Sequence, residues 1–250
     1  MKHPLVSIIT VCYNAKDTIE STINSIRDQV YDNIEYIVVD GDSTDGTKEI
    51  IEQNRDAINI YISEPDKGLY YAMNKGLDIA NGEYVWFMNS GDRIPHSNTL
   101  LKIMESSYLP QDIYYGQTKI IDQKGHVLGN RRLRPPKVLT KDSFKWGMLV
   151  CHQAFIVRKR ITKRYDTRYK ICADYDWVLT AIENAEPTLI RYSSRTYCNF
   201  LQGGVSSKQM NKSNKERYRI MIKHYGFITA TFYNCLMSFR FIKSKIKGEL

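Results

Sequence analysis

Apolar residues fall along the first hundred positions in two alternating rhythms. LVSIITVC (5–12) is a near-continuous apolar run rich in β-branched residues, the pattern of a strand buried on both faces. Asp17 then opens a stretch in which Ile19, Ile23, Ile26 and Val30 recur at spacings of 4, 3 and 4, which predicts an amphipathic helix. The same exchange repeats. IEYIVVD (34–40) reads as a strand and TKEIIEQNR (47–55) as a short helix. INIYIS (58–63) reads as a strand and GLYYAMNKGLDIA (68–80) as a helix stopped by Asn81-Gly82. EYVWFMN (83–89) is a fourth strand, SGDRIPHSN (90–98) a loop, and Asn98 a cap for the helix TLLKIMESS (99–107). Four strand–helix alternations predict an α/β fold with a mostly parallel, Rossmann-like sheet and helices on both faces.

Beyond residue 110 the rhythm loosens. DIYYGQTKII and HVLGNRRL predict a hairpin around Gln123-Lys124-Gly125, and the basic RRLRPPKVLTKDSFKWGM a long loop. VCHQAFIVRK predicts another strand, ADYDWVLTAIEN a helix opening with Asp174 and Asp176, and residues 195–200 a last strand before QGGVSS. Residues 212–225 and 228–247 read as helices. This organisation suggests a strand–helix half over 1–106, a second half of the same domain over 107–207, and C-terminal helices over 208–250.

Composition narrows the class. An apolar share of 42% and a charged share of 25% in 250 residues allow a substantial core without cross-links. Five scattered cysteines with no C-x-x-C pair argue against a zinc ribbon or a disulfide framework and suit a reducing, cytoplasmic setting. The basic, apolar start MKHPLVSIITVCYN lacks a small-residue cleavage site and reads as the first strand rather than a targeting segment. No stretch reaches the ~18 apolar residues of a membrane span. The net charge of +9 is uneven: residues 205–250 hold ten Lys/Arg against two Glu, +8, leaving +1 for the rest.

The chemistry gathers at strand ends. In sheets of this kind ligands sit beyond the carboxyl ends of the strands. Asp40 ends the second strand, Asp66 follows the third and Asp92 the fourth, so three carboxylates are expected on one rim. A lone Asp after a strand is commonly a turn or cap residue, the reading given to Asp17 and Asp45. The stretch VVDGDSTDGT leaves two readings open. One is a HAD-type phosphatase with Asp40 as nucleophile and Asp42 as acid/base. That family carries the motif on its first strand and needs a later acidic pair for Mg²⁺, of which Gly91-Asp92 offers half. The other is a nucleotide pocket.

The order VSIITVCYN, VVDGDSTDGT, SEPDKGLYYAMNKG, YVWFMNSGD, ADYDW, NFLQGGVS resembles the family 2 glycosyltransferases over roughly residues 4–207. The NSGD and CHQ forms are most similar to the branch that builds bacterial capsule, O-antigen and exopolysaccharide. The resemblance implies the GT-A fold and a nucleotide-diphosphate sugar as donor, with uridine the usual base and guanosine or thymidine as alternatives. Tyr13 would stack on the base, and Asp40, Asp42 and Asp66 would hold base and ribose. Asp92 would meet the diphosphate through Mg²⁺ or Mn²⁺. Asp174 would be the base that deprotonates the acceptor hydroxyl, implying inversion. His152, Gln153, Asp176, Gly203 and Gly204 would lie on the acceptor or diphosphate side. The sequence departs from the commoner family pattern at Gly41, where Asp is usual, and at Ser90-Gly91-Asp92, which keeps only the last acid of the metal motif.

The expected acceptor is a saccharide, lipid-linked in the surface-polysaccharide branch. The basic tail, with Phe232, Leu236, Phe239 and Ile246 able to share one helical face, suggests peripheral attachment to an anionic membrane surface on its cytoplasmic side. No stacking platform or groove-reading helix points to nucleic acid. The competing reading from another class is an inactive nucleotide-sugar-binding protein, supported by the acids missing at Gly41 and Gly91.

Overall fold

A computed structural model describes residues 3–203 and 209–246. One eight-stranded mixed sheet forms the centre: β1 (Val6–Cys12), β2 (Ile34–Asp40), β3 (Ile60–Ser63), β4 (Tyr84–Phe87), β5 (Ile113–Ile121), β6 (Val127–Asn130), β7 (Phe155–Arg158) and β8 (Ile190–Leu201). Its order is β3-β2-β1-β4-β7-β5-β6, with β8 also paired to β5. The strands β3, β2, β1 and β4 run parallel, as the βα alternation predicts. β7 is antiparallel to β4 and β5, so the sheet continues through the second half without a break.

Side-chain alternation along the strands builds two cores. Ile9, Val11, Ile37, Val39, Val85 and Phe87 face α3 (Leu69–Ile79), α5 (Ala173–Asn184) and α6 (Met210–Tyr225). Their neighbours Val6, Ile8, Tyr36, Val38 and Trp86 face α1 (Ile19–Arg27), α2 (Thr47–Gln53) and α4 (Thr99–Met104). α7 (Phe227–Ile246) closes the described chain and enters the first core through Ala230.

Several elements differ from the sequence expectation. α1 ends at Arg27, and Val30 is exposed in the following loop, where its N–H donates to Ser97 O at 2.8 Å. Asn98 gives α4 no side-chain cap. β7 starts at Phe155, because His152–Ala154 forms a turn of 3-10 helix. The basic loop contains a 3-10 helix, Lys141–Trp146, opened by a Thr140–Ser143 capping box. β8 begins at Ile190 rather than Arg195, and its first half is too polar and exposed to show strand alternation.

Candidate active site

Beyond the carboxyl ends of β1, β2 and β4 lies a cavity of about 1230 Å³, large enough for a ligand of drug size or more. Its lining includes Tyr13, Asp42, Asp66, Asp92, His152, Gln153, Asp174 and Gly203. These come from the segments after β1, β2, β3, β4 and β8, from the 3-10 turn before β7 and from the start of α5. Gly204 lies outside the described residues.

Asp40 is not among the lining residues, contrary to its expected role as a direct ligand. It is 0% exposed, and its carboxylate is saturated from within. Ser43 donates to it through both N–H (2.9 Å) and hydroxyl, and Ser63 donates at 2.7 Å. A strand-end carboxylate flanked by serines finds its donors in the fold. Asp40 therefore anchors the 41–44 turn beneath the cavity and cannot face a substrate as a phosphatase nucleophile must.

That turn is knitted to the loop after β1. Asn14 N–H donates to Ser43 Oγ (2.8 Å), and Thr44 N–H returns to Asn14 Oδ1 (3.0 Å). Asp45 accepts from Thr47 N–H at 3.1 Å and braces the start of α2, but the N-cap position itself is Gly46, which has no side-chain cap. Asp42, in the left-handed region at φ 67°, pairs with Lys48. Gly41 is where Asp66 and the Tyr13 ring converge. A Cβ built there would lie 3.0 Å from Asp66 Oδ2 and 3.3 Å from the ring. The missing side chain thus leaves room for Asp66, whose Oδ1 accepts from Gly68 N–H at 2.7 Å. Tyr13 is 66% exposed, a free aromatic face at the cavity edge.

Asp92 lines the cavity from the loop after β4. It is 4% exposed, Oδ1 accepts from Leu201 N–H at 2.9 Å, and the Gln153 amide also holds it. Burial nevertheless pushes its carboxyl up to about 7. Gly91, at φ +96°, holds a backbone conformation that strains any residue with a side chain, and a Cβ there would meet Leu201 Cδ2 at 2.6 Å. Across the same turn, closed by Asp92 N–H to Asn89 O at 3.0 Å, Asn89 Oδ1 is buried without a hydrogen-bond partner. Among the described residues no group of three or more His, Cys, Asp or Glu is placed to hold a metal ion. A hard cation that keeps waters and takes phosphate oxygens needs few protein ligands. Asp92 with the unpartnered Asn89 oxygen fits such a cation, carried in with a diphosphate, and not a closed all-protein cage.

Asp174, in the first turn of α5, lines the same cavity. Its Oδ1 accepts from Tyr175 N–H (2.9 Å) and Tyr70 OH (3.3 Å). Burial raises its carboxyl above the ordinary range, against those two hydrogen bonds and the positive charges of Arg131 and Arg217. His152 stacks on Phe87 (centroids 5.1 Å) and its Nε2 meets Tyr165 OH at 2.6 Å. Burial lowers the imidazole to about 3, so it is neutral at physiological pH. Asp176 turns away from the cavity. It accepts from Lys223 Nζ (2.7 Å) and lies 2.8 Å from His224 Nε2, pinning α5 to α6. The two acids of ADYD are two positions apart and so point to different faces of α5, and only Asp174 lines the cavity.

Sequence reasoning missed Asn89, Tyr70 and Arg217, all of which line the cavity or touch Asp174. Arg131 also lines it, with its guanidinium donating to the Leu133, Met148 and Leu149 carbonyls. Ser213 and Arg217 bring α6 into the wall, so the C-terminal segment is not an appendage.

The family model "Glycosyl transferase family 2" matches residues 7–165. The chain belongs to glycosyltransferase family 2. This glycosyltransferase is 31% identical over 213 residues to the uncharacterized glycosyltransferase Rv1514c of Mycobacterium tuberculosis, covering 82% of this chain and 78% of that one. It is 44% identical over 93 residues to the putative teichuronic acid biosynthesis glycosyltransferase TuaG of Bacillus subtilis, covering 36% and 37%. Among solved structures, S. aureus TarS 1–349 superposes with TM-score 0.65 at 21% identity, over 88% of this chain and 66% of that one. Glucosyl-3-phosphoglycerate synthase from Mycobacterium tuberculosis, solved with Mn²⁺, UDP and glucosyl-3-phosphoglycerate, gives 0.62 at 14% identity, over 88% and 80%. Such likenesses establish the GT-A fold of the glycosyltransferase. No helix among the described residues is long and apolar enough to cross a membrane.

Proposed function

We propose that this glycosyltransferase moves a sugar from a nucleoside diphosphate, UDP foremost, to a hydroxyl of a saccharide acceptor, with inversion at the anomeric carbon. The carrying observation is that one cavity is lined by Tyr13, Asp66 and Asp174, the last with its carboxyl raised by burial. The TarS fragment was solved with UDP and with UDP-GlcNAc, which supports a nucleotide-sugar donor on this fold.

Tyr13 stacks on the base, and Asp66 accepts from a base or ribose donor. Asp92 and Asn89 would hold a divalent cation, Mg²⁺ or Mn²⁺, which would supply positive charge to offset that of the diphosphate. Asp174 takes the proton of the acceptor hydroxyl. The new bond from that oxygen to the anomeric carbon forms as the bond to the diphosphate oxygen breaks on the opposite face. The raised carboxyl of Asp174 is a better proton acceptor than an ordinary aspartate, and Tyr70 and Tyr175 N–H keep it aimed. His152, neutral, and Gln153 shape the acceptor and diphosphate side. Residues 1–106 serve the donor and 107–207 the acceptor, with α6 completing that wall.

The relatives named for teichuronic acid and for PGL/p-HBAD biosynthesis support an acceptor from surface-glycan synthesis, carried on lipid. Phe227, Ile228, Phe232 and Phe239 are exposed on α7 within the basic tail, which supports a peripheral site on the cytoplasmic membrane face. Equal binding to anionic vesicles with and without residues 227–250 would refute that attachment. The donor reading is tested by thermal shift with UDP, GDP and dTDP, with and without Mn²⁺. Stabilisation by one base, strengthened by metal, is expected; no shift with any of them overturns it.

A further inference from the structure

We propose that Glu216 of α6 is a positioning residue for transfer, holding the backbone segment that presents Asp174. The inference rests on the assignment of Asp174 as the base. Glu216 is 7% exposed, and both its oxygens are engaged by consecutive amides. Lys170 N–H donates to Oε1 at 2.9 Å, and Ile171 and Cys172 N–H donate to Oε2 at 2.8 and 3.0 Å. Three successive N–H groups converging on one anion form a nest, filled here by a carboxylate from a distant helix. The site also lies just ahead of the α5 N-terminus, where negative charge is favoured.

The same segment is gripped from its other side. Tyr70 OH donates to Ile171 O at 2.7 Å and reaches Asp174 Oδ1 at 3.3 Å. Ser213, one turn before Glu216, has its hydroxyl 3.1 Å from Cys172 Sγ. Residues 170–172 are thus clamped between α3 and α6, and Asp174 follows two residues on. Where this segment sits decides where the base stands over the acceptor hydroxyl. α6 is docked independently of the clamp, through buried Ile220 and Met221 and through Lys223 and His224 on Asp176. Removing the charge of Glu216 therefore loosens the segment without releasing the helix.

Glu216→Gln keeps the shape but turns one acceptor oxygen into an NH₂ that cannot accept. The full-length variant is compared with wild type and with Lys215→Gln, an exposed change on the same helix. Hydrogen exchange at 170–174 is read without substrate, UDP affinity by calorimetry, and release of UDP from UDP-GlcNAc, UDP-Glc or UDP-Gal, with water accepting the sugar, by kinetics. Expected are exchange at least ten-fold faster at 170–174, unchanged UDP affinity, and kcat lower by roughly 10- to 100-fold at unchanged donor KM. Exchange and kcat within two-fold of Lys215→Gln, or a loss of UDP affinity matching the loss of turnover, overturn the proposal. If Glu216→Gln does not fold, Glu216→Asp, which withdraws the carboxylate by one methylene, gives the same comparison. Should Asp174→Asn retain turnover, the base assignment fails while the exchange result still judges the clamp.

Discussion

Replacing Asp92 by asparagine should alter how folding stability depends on pH. In the folded protein burial lifts the Asp92 carboxyl from the ordinary 3.8 to about 7. The folded state therefore holds a proton that the unfolded chain gives up. Stability from this group is complete below about pH 4 and is lost as pH rises through about 7. With ~1.4 kcal/mol per pKa unit, a shift of about three units is worth on the order of 4 kcal/mol. The amide in the Asp92→Asn variant does not titrate, yet its carbonyl oxygen can still accept from Leu201 N–H. The assay is urea unfolding of both proteins at intervals from pH 4 to 8, with chelator present, taking the difference in unfolding free energy at each pH. All other titrating groups are shared and cancel. The variant should gain on wild type by roughly 3–4 kcal/mol across the range, most of it between pH 4.5 and 7. A difference that stays flat with pH would refute the placement of Asp92 in a desolvated pocket.

The same desolvation links metal to protons: below pH 7, Mn²⁺-dependent stabilisation by UDP should weaken about ten-fold in affinity per pH unit, read by calorimetry from pH 5.5 to 8. Asp40→Ala leaves Ser43 and Ser63 with buried unpaired donors and should cost roughly 3–5 kcal/mol in urea unfolding, whereas a surface aspartate would cost under 1. Gly41→Asp puts a second carboxylate against Asp66, 3.0 Å from where its Cβ must lie, and should weaken UDP binding at least ten-fold by calorimetry. Tyr70→Phe removes the hydroxyl shared by Ile171 and Asp174 and should lower kcat about ten-fold with donor KM unchanged.

Much of the fold was legible because burial imposes a period. β1, β2 and β4 are buried on both faces and read as apolar runs, and α1 and α3 show their core stripe. What was missed lacks that imprint. The first half of β8 is partly exposed on a sheet otherwise paired, so residues 190–194 carry no alternation. Val30 falls on the helical spacing by chance and sits in a loop. At the site, Tyr13, Asp66, Asp92 and Asp174 were visible as acids or aromatics at strand and helix ends, and all four line the cavity. Asp40 and Asp176 carry the same local signature but turn to partners elsewhere in the fold, Ser63 for one and Lys223 and His224 for the other. Pattern gives the position of an acid along an element, not the donor that neutralises it. Glu216 and Arg217 were hidden for the converse reason: a basic tail masks two residues that tertiary packing carries up against the cavity wall.

The most direct measurement is UDP release from a UDP-sugar by Asp174→Asn at saturating donor, with water as the acceptor of the sugar, and UDP affinity measured on the same preparation. Loss of turnover by roughly three orders of magnitude or more with wild-type UDP affinity is the result expected of a base that acts after the donor is bound. Turnover within about ten-fold of wild type would contradict the assignment of proton transfer to Asp174.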